Sequence, residues 1–181
     1  MPRSIAVFCG AAPGRDPAFA AAARELGGAI ARSDRTLVYG GGSVGLMGAV
    51  ADGALAHQGR ITGVITRQLV DKELAHKDVG DMRIVATMHE RKMTMATMAD
   101  AFIALPGGFG TLDELFEILA WAQLQIHTKP VGMLDVGGFF DPLMTFLDKA
   151  EDAGFLRLAH REFIVVDPDP ADLLKRLAAA K

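Results

Sequence analysis

Cysteine is nearly absent from this chain. Cys9 stands alone among 181 residues, which excludes an intramolecular disulfide and a zinc site built from several cysteines. It lies in the apolar run Ile5–Cys9 and reads as a small buried core residue. Charge of one sign is missing too. The 19 Lys and Arg nearly balance the 22 Asp and Glu, leaving a net charge of −3. Nothing electrostatic therefore draws the chain to nucleic acid or to an anionic membrane, and any phosphate site must be local. No apolar run is long enough to cross a bilayer. The opening MPRSIAVFCG is too short in apolar length for a secretory leader and runs straight into a strand. The expectation is a cytoplasmic protein with no membrane and no nucleic-acid partner. Internal repeats, linkers and low-complexity segments are also absent. What remains is globular in composition, 50% apolar and 23% charged, with enough chain for one domain around a substantial core.

Strands and helices alternate from end to end. Short apolar runs predict strands at Ser4–Cys9, Thr36–Tyr39, Ile61–Ile65, Arg83–Ala86, Ala101–Leu105, Val131–Leu134 and Phe163–Val166. Helical spacing predicts helices over Pro17–Ser33, Leu46–His57, His89–Asp100, Phe140–Ala153 and Pro170–Ala180, and another from Thr111. In that last helix Leu112, Leu115, Phe116, Leu119, Ala122 and Ile126 form an apolar stripe. Arg67–Asp81 has no clean period and reads as a loop with at most a helical turn. Strands that are apolar throughout are buried on both faces. The prediction is therefore a single-domain α/β fold, a Rossmann-like doubly wound parallel sheet with helices on both faces. Ligands of such sheets bind beyond the carboxyl ends of the strands. Four segments fall at that edge: Gly10–Asp16, Gly40–Gly48, Met88–Lys92 and Pro106–Thr111.

The densest signal is Leu105-Pro106-Gly107-Gly108-Phe109-Gly110-Thr111-Leu112-Asp113-Glu114. A strand, a glycine turn and a helix start gather free N–H groups at the positive end of a helix dipole, which suits phosphate. Glu114 then stands within one helical turn of that anion site. A purely structural role competes: Thr111-x-x-Glu114 also spells a capping box. A cap needs no such density of glycine. Asp113 and Glu117 by default are solvated, or favour the helix dipole.

Several other patterns carry less. Gly40–Gly45 fits G-x-G-x-x-G, yet no carboxylate follows about 20 positions on, as nicotinamide dinucleotide binding requires. No Gly-Lys-Ser/Thr follows either turn, so a P-loop is excluded. His89-Glu90-Arg91-Lys92-Met93 lacks the second histidine of a zinc motif, and no metal site is expected. Arg91 and Lys92 open a helix, where the dipole disfavours cations; such misplaced charge points to something anionic nearby. Met88, Met93, Met95 and Met98 read as core or subunit interface.

Taken together, Val38-Tyr39-Gly40-Gly41-Gly42-Ser43-Val44-Gly45-Leu46-Met47-Gly48, Met88-His89-Glu90-Arg91-Lys92 and Pro106-Gly107-Gly108-Phe109-Gly110-Thr111-x-x-Glu114 resemble the Lonely Guy (LOG) family. Trp121-Ala122-Gln123-Leu124 resembles it as well. The likeness runs from about Ile5 to Val166. These proteins are cytokinin riboside 5′-monophosphate phosphoribohydrolases, long mislabelled as lysine decarboxylases. The resemblance implies cleavage of the N-glycosidic bond of AMP or N6-isopentenyl-AMP, giving free base and ribose 5-phosphate. It implies Arg91 and Glu114 as the catalytic pair. Substrate contacts would come from Glu73, Met88, Lys92, Gly108, Phe109, Gly110 and Thr111, and from the turn at Gly41, Gly42 and Ser43. No cofactor and a homodimer are implied. Two departures stand out: Cys9-Gly10-Ala11-Ala12-Pro13-Gly14 lacks the two serines usual in the family's first turn, and Ala120 replaces a frequent threonine. The alternative on the same fold is a non-catalytic nucleotide or cofactor binder resembling molybdenum-cofactor carriers.

Overall fold

Seven short segments, largely apolar except for the edge strand Asp81–Val85, give seven parallel strands of one sheet in the computed structural model, which describes residues 2–72 and 74–180. The elements run β1 (Ser4–Phe8), α1 (Pro17–Arg32), β2 (Thr36–Tyr39), α2 (Gly45–Ala56), β3 (Arg60–Thr66), α3 (Arg67–Val70), β4 (Asp81–Val85) and α4 (Met88–Met98). They continue with β5 (Ala101–Ala104), α5 (Phe109–Gln123), β6 (Val131–Leu134), α6 (Asp141–Asp152), α7 (Leu158–Arg161), β7 (Ile164–Asp167) and α8 (Pro170–Ala179). The order across the sheet is β4-β3-β2-β1-β5-β6-β7. The chain winds outward one way from β1 to β4, then returns to the other side of β1 as β5. That reversal opens a crevice between the carboxyl ends of β1 and β5.

The side-chain period of a strand sorts the core into two layers. Ile5, Val7 and Cys9 face one side with Leu37, Tyr39 and Ile103, against α1, α2 and α8. Ala6 and Phe8 face the other with Val38, Phe102 and Ala104, against α4, α5 and α6. Phe8 and Phe102 stack across the β1–β5 junction at 5.9 Å between ring centroids. Burial on both faces is the reason these strands carry no polar alternation. This Rossmann-like α/β architecture is the one expected.

Local chemistry sets the helix ends. The Asp16 carboxylate accepts from the Ala18 N–H at 2.8 Å, and Pro17 occupies the first turn of α1. Thr87 caps α4: its hydroxyl accepts from the Glu90 N–H at 3.0 Å. The Glu90 carboxylate reaches back to the Ala86 N–H at 2.9 Å. A capping arrangement thus forms at Thr87-x-x-Glu90. At Thr111-x-x-Glu114 it does not, because α5 begins two residues earlier, at Phe109, with Gly108 as its N-cap. Thr111 and Glu114 both lie inside the helix.

Two further expectations shift. The α5 stripe is rotated from the predicted one. Its buried residues are Thr111, Glu114, Leu115, Ile118 and Ala122, while Phe116 and Ile126 stay exposed. The methionine-rich α4 buries Met95 but exposes Met88 and Met93. The short helix α7 lies in a stretch given no element from sequence.

Candidate functional site

A cleft of about 530 Å³ opens at the β1–β5 crevice. Its walls are the turns that follow three strands. Gly10–Gly14 comes after β1, Gly40 after β2, and Pro106–Gly108 after β5. The turns are tied to one another through the backbone. The Gly10 N–H donates to the Pro106 carbonyl at 3.1 Å, and the Leu46 N–H to the Gly10 carbonyl at 3.0 Å. Gly45 permits the second tie. Its φ is +62°, and a Cβ there would meet the Ala11 carbonyl oxygen at 2.2 Å, so only glycine allows the two loops to touch.

Helix α5 starts at the cleft. Gly108 offers no side chain to cap its first turn. Gly110 and Thr111 line the cleft beside it. Uncapped N–H groups at a helix N-terminus form a receptor for an anion.

Arg91 and Glu114 meet on the cleft floor. Arg91 lies on the buried face of α4 with Met95, and Glu114 on the buried face of α5 with Leu115 and Ile118. Arg91 is 6% exposed and Glu114 9%. The guanidinium donates to three acceptors: Nε to the Val64 carbonyl at 2.9 Å, Nη2 to the Gly40 carbonyl at 2.9 Å, and Nη1 to Glu114 Oε1 at 3.2 Å. The ion pair is a single contact, not a fork. Burial pushes the Glu114 carboxyl up to about 7, with Arg91 pulling it the other way. The Cys9 thiol, on the same floor, is also driven upward, by burial first and by Glu114 second; it stays protonated and unreactive.

Lys92 sits at the cleft edge between two carboxylates. Its Nζ is 3.0 Å from Asp113 Oδ2 and 3.2 Å from Glu117 Oε1. The anions that accompany the cations opening α4 are thus the acidic residues of α5. Asp113 and Glu117 are neither simply solvated nor dipole partners. They are four apart on one helix face, and that spacing was the signal for a shared cation.

Of the expected substrate contacts, Met88, Lys92, Gly108, Gly110 and Thr111 line the cleft with Arg91 and Glu114. Phe109 does not; it is 94% exposed. Gly41, Gly42 and Ser43 lie outside the cleft lining and are occupied elsewhere. Gly42 bridges Ala75, Ser43 N–H donates to the Leu74 carbonyl at 2.9 Å, and His76 N–H to the Gly41 carbonyl at 3.0 Å. The turn thereby fastens the segment after α3 to the sheet. Glu73 lies outside the described residues. Sequence reasoning missed the apolar wall of the cleft, where Phe19, Met47, Leu69 and Phe139 take part. Those residues come from three helices and the turn after β6, and no local pattern joins them. Among the described residues no group of His, Cys, Asp and Glu is arranged to hold a metal. No helix among them is long and apolar enough to cross a membrane.

Residues 47–177 match the family described as possible lysine decarboxylase. The chain is 49% identical over 176 residues to cytokinin riboside 5′-monophosphate phosphoribohydrolase LOG7 of Arabidopsis thaliana, covering 97% of this chain and 81% of that one. It is 49% identical over 176 residues to the probable cytokinin riboside 5′-monophosphate phosphoribohydrolase LOGL2 of Oryza sativa subsp. japonica, with 97% and 72% covered. Among solved structures, the molybdenum cofactor carrier protein of Chlamydomonas reinhardtii superimposes with a TM-score of 0.72 at 25% identity, over 97% of this chain and 98% of that one. A molybdenum cofactor binding protein from Rippkaea orientalis gives 0.73 at 22% identity, over 97% and 95%. That second likeness concerns the fold alone.

Proposed function

Because the chain belongs to the LOG family of cytokinin riboside 5′-monophosphate phosphoribohydrolases, we propose that it hydrolyses the N-glycosidic bond of adenosine 5′-monophosphates. AMP and N6-isopentenyl-AMP are the substrates to test, and the products are free base and ribose 5-phosphate. The observation that carries the reading is the buried Arg91–Glu114 contact on the floor of a glycine-walled cleft.

Breaking a glycosidic bond builds positive charge on the ribose ring. A carboxylate beside the anomeric carbon stabilises that charge, and its effect is stronger where water is excluded. Glu114 supplies the carboxylate and Arg91 favours its ionised form. The uncapped first turn of α5 and the Gly10–Gly14 loop receive the 5′-phosphate. Phosphate binding is remote from the bond that breaks, so it orients that bond over Glu114. Lys92, Met88 and the Gly108–Thr111 turn complete the substrate contacts. The reaction needs no cofactor.

The working form in this reading is a cytoplasmic homodimer. Support for the dimer comes from the apolar surface on α4 and α5. Met88, Met93 and Phe116 are 50%, 41% and 37% exposed there, with Phe109 at the start of α5. Patches of that kind mark contact surfaces.

The test is to incubate the protein with AMP and with N6-isopentenyl-AMP and to separate the products chromatographically. Free base is the expected result, and Glu114→Ala should release none. Saturable nucleotide binding without base release would favour a carrier instead.

A further inference from the structure

Gly40 lies at the carboxyl end of β2, and nothing in its backbone requires glycine, since its φ lies outside the left-handed region. What it lacks is room. A Cβ built there would fall 1.9 Å from Arg91 Nη2 and 3.1 Å from Arg91 Cζ. The other near atom is Met47 Sδ at 2.9 Å, the end of a flexible side chain. The same residue's carbonyl accepts from Arg91 Nη2 at 2.9 Å. Val64, inside β3, accepts from Nε at 2.9 Å. The guanidinium therefore occupies the space of a missing side chain, with one edge fixed to the backbone of β3 and of the residue that follows β2. Its third oxygen acceptor is Glu114 Oε1, at 3.2 Å from Nη1.

We infer that Gly40 is a positioning residue: its bare α-carbon seats the Arg91 guanidinium, and that seat directs Arg91 onto Glu114. Arg91 then acts by holding the carboxylate in place, with N–H groups from all three of its nitrogens donated to Val64, Gly40 and Glu114, and the 5′-phosphate goes to the turns around Gly10 and Gly108. This rests on the hydrolase reading only for its effect on turnover. The seating itself is a statement about packing.

Two readouts separate the layers. In Gly40→Ala, alanine fits the backbone but evicts the guanidinium, and a displacement of about 1 Å at a reacting group costs on the order of 100-fold. Base release from AMP should thus fall by about 100-fold in kcat, while KM changes by less than about threefold. The pH at which activity is half-maximal should move upward, because Glu114 loses the cation that favours its charged form. A residue that merely supported the fold would leave that pH unmoved. In an Arg91→Ala background the seat is vacant. There Gly40→Ala should alter kcat by less than about twofold, as a residue acting only through Arg91 must.

Thermal unfolding runs the same cycle without any assay of activity. Gly40→Ala should lower the midpoint in the parent and leave it unchanged in Arg91→Ala. If the wild-type protein releases no base while the thermal cycle shows this dependence, the function fails and the seating stands. If Gly40→Ala lowers the midpoint equally in both backgrounds, or cuts turnover without moving the pH profile, the inference is overturned.

Discussion

Burial of Glu114 makes a quantitative claim about stability. Its carboxyl rises from an ordinary 4.5 to about 7 in the folded chain, chiefly because burial disfavours the charged form. Between those values the folded chain keeps a proton that the unfolded chain has released. Stability therefore falls as pH rises through that window. Below it both states are protonated and there is no penalty; above it the penalty is complete, at about 3 kcal/mol. Glu114→Gln keeps the shape and cannot ionise. It also loses the pairing with Arg91, and the pH dependence of that pairing is already contained in the shifted carboxyl value. Urea unfolding of both proteins between about pH 5 and about pH 8 isolates the effect, since all other titrating groups are shared. The fall in stability across that range should be about 2.5 kcal/mol larger in the wild type than in Glu114→Gln. Parallel curves, within about 0.5 kcal/mol, would refute the claim that a desolvated carboxylate sits on the cleft floor.

Other consequences are simpler. Lys92→Met removes a cation that helps keep Glu114 ionised, so the pH profile of base release should shift to higher pH, with the fold retained by circular dichroism. Thr87→Ala deletes the α4 cap and should cost about 1 kcal/mol in chemical denaturation, with substrate affinity nearly unchanged. Replacing Phe116 with Asp on the exposed face of α5 should turn a dimer into a monomer in light scattering after size exclusion, whereas Phe155→Asp, on a separate exposed site after α6, should not.

The sheet was readable because its chemistry is local and repeated. Strands such as Ala101–Ala104 are apolar at every position, and both faces prove to be covered by helices. The limits of α5 were less legible. Thr111 and Glu114 have the spacing of a cap, yet Gly108 ends up as the N-cap because the glycine turn lets the helix begin earlier. Seating of a charged pair on buried helix faces also ran against the hydrophobic stripe. Pattern alone put Phe116 inward, and the structure puts Glu114 there and leaves Phe116 outside. The glycines after β2 divide the same way. Gly40 touches the candidate site, while Gly41, Gly42 and Ser43 hold the neighbouring segment through hydrogen bonds that no sequence pattern encodes. The apolar cleft wall, with Phe19 from α1 and Phe139 from beyond β6, exists only after folding.

The central claim is that Glu114, paired with Arg91, breaks the bond between base and ribose. Its most direct measurement is a single-turnover reaction with N6-isopentenyl-AMP, quenched over time, in which free base and ribose 5-phosphate are both quantified. Equal amounts of the two products are expected from the wild type and neither from Glu114→Ala, although that variant still binds the nucleotide. Product formation at the wild-type rate in Glu114→Ala would contradict it.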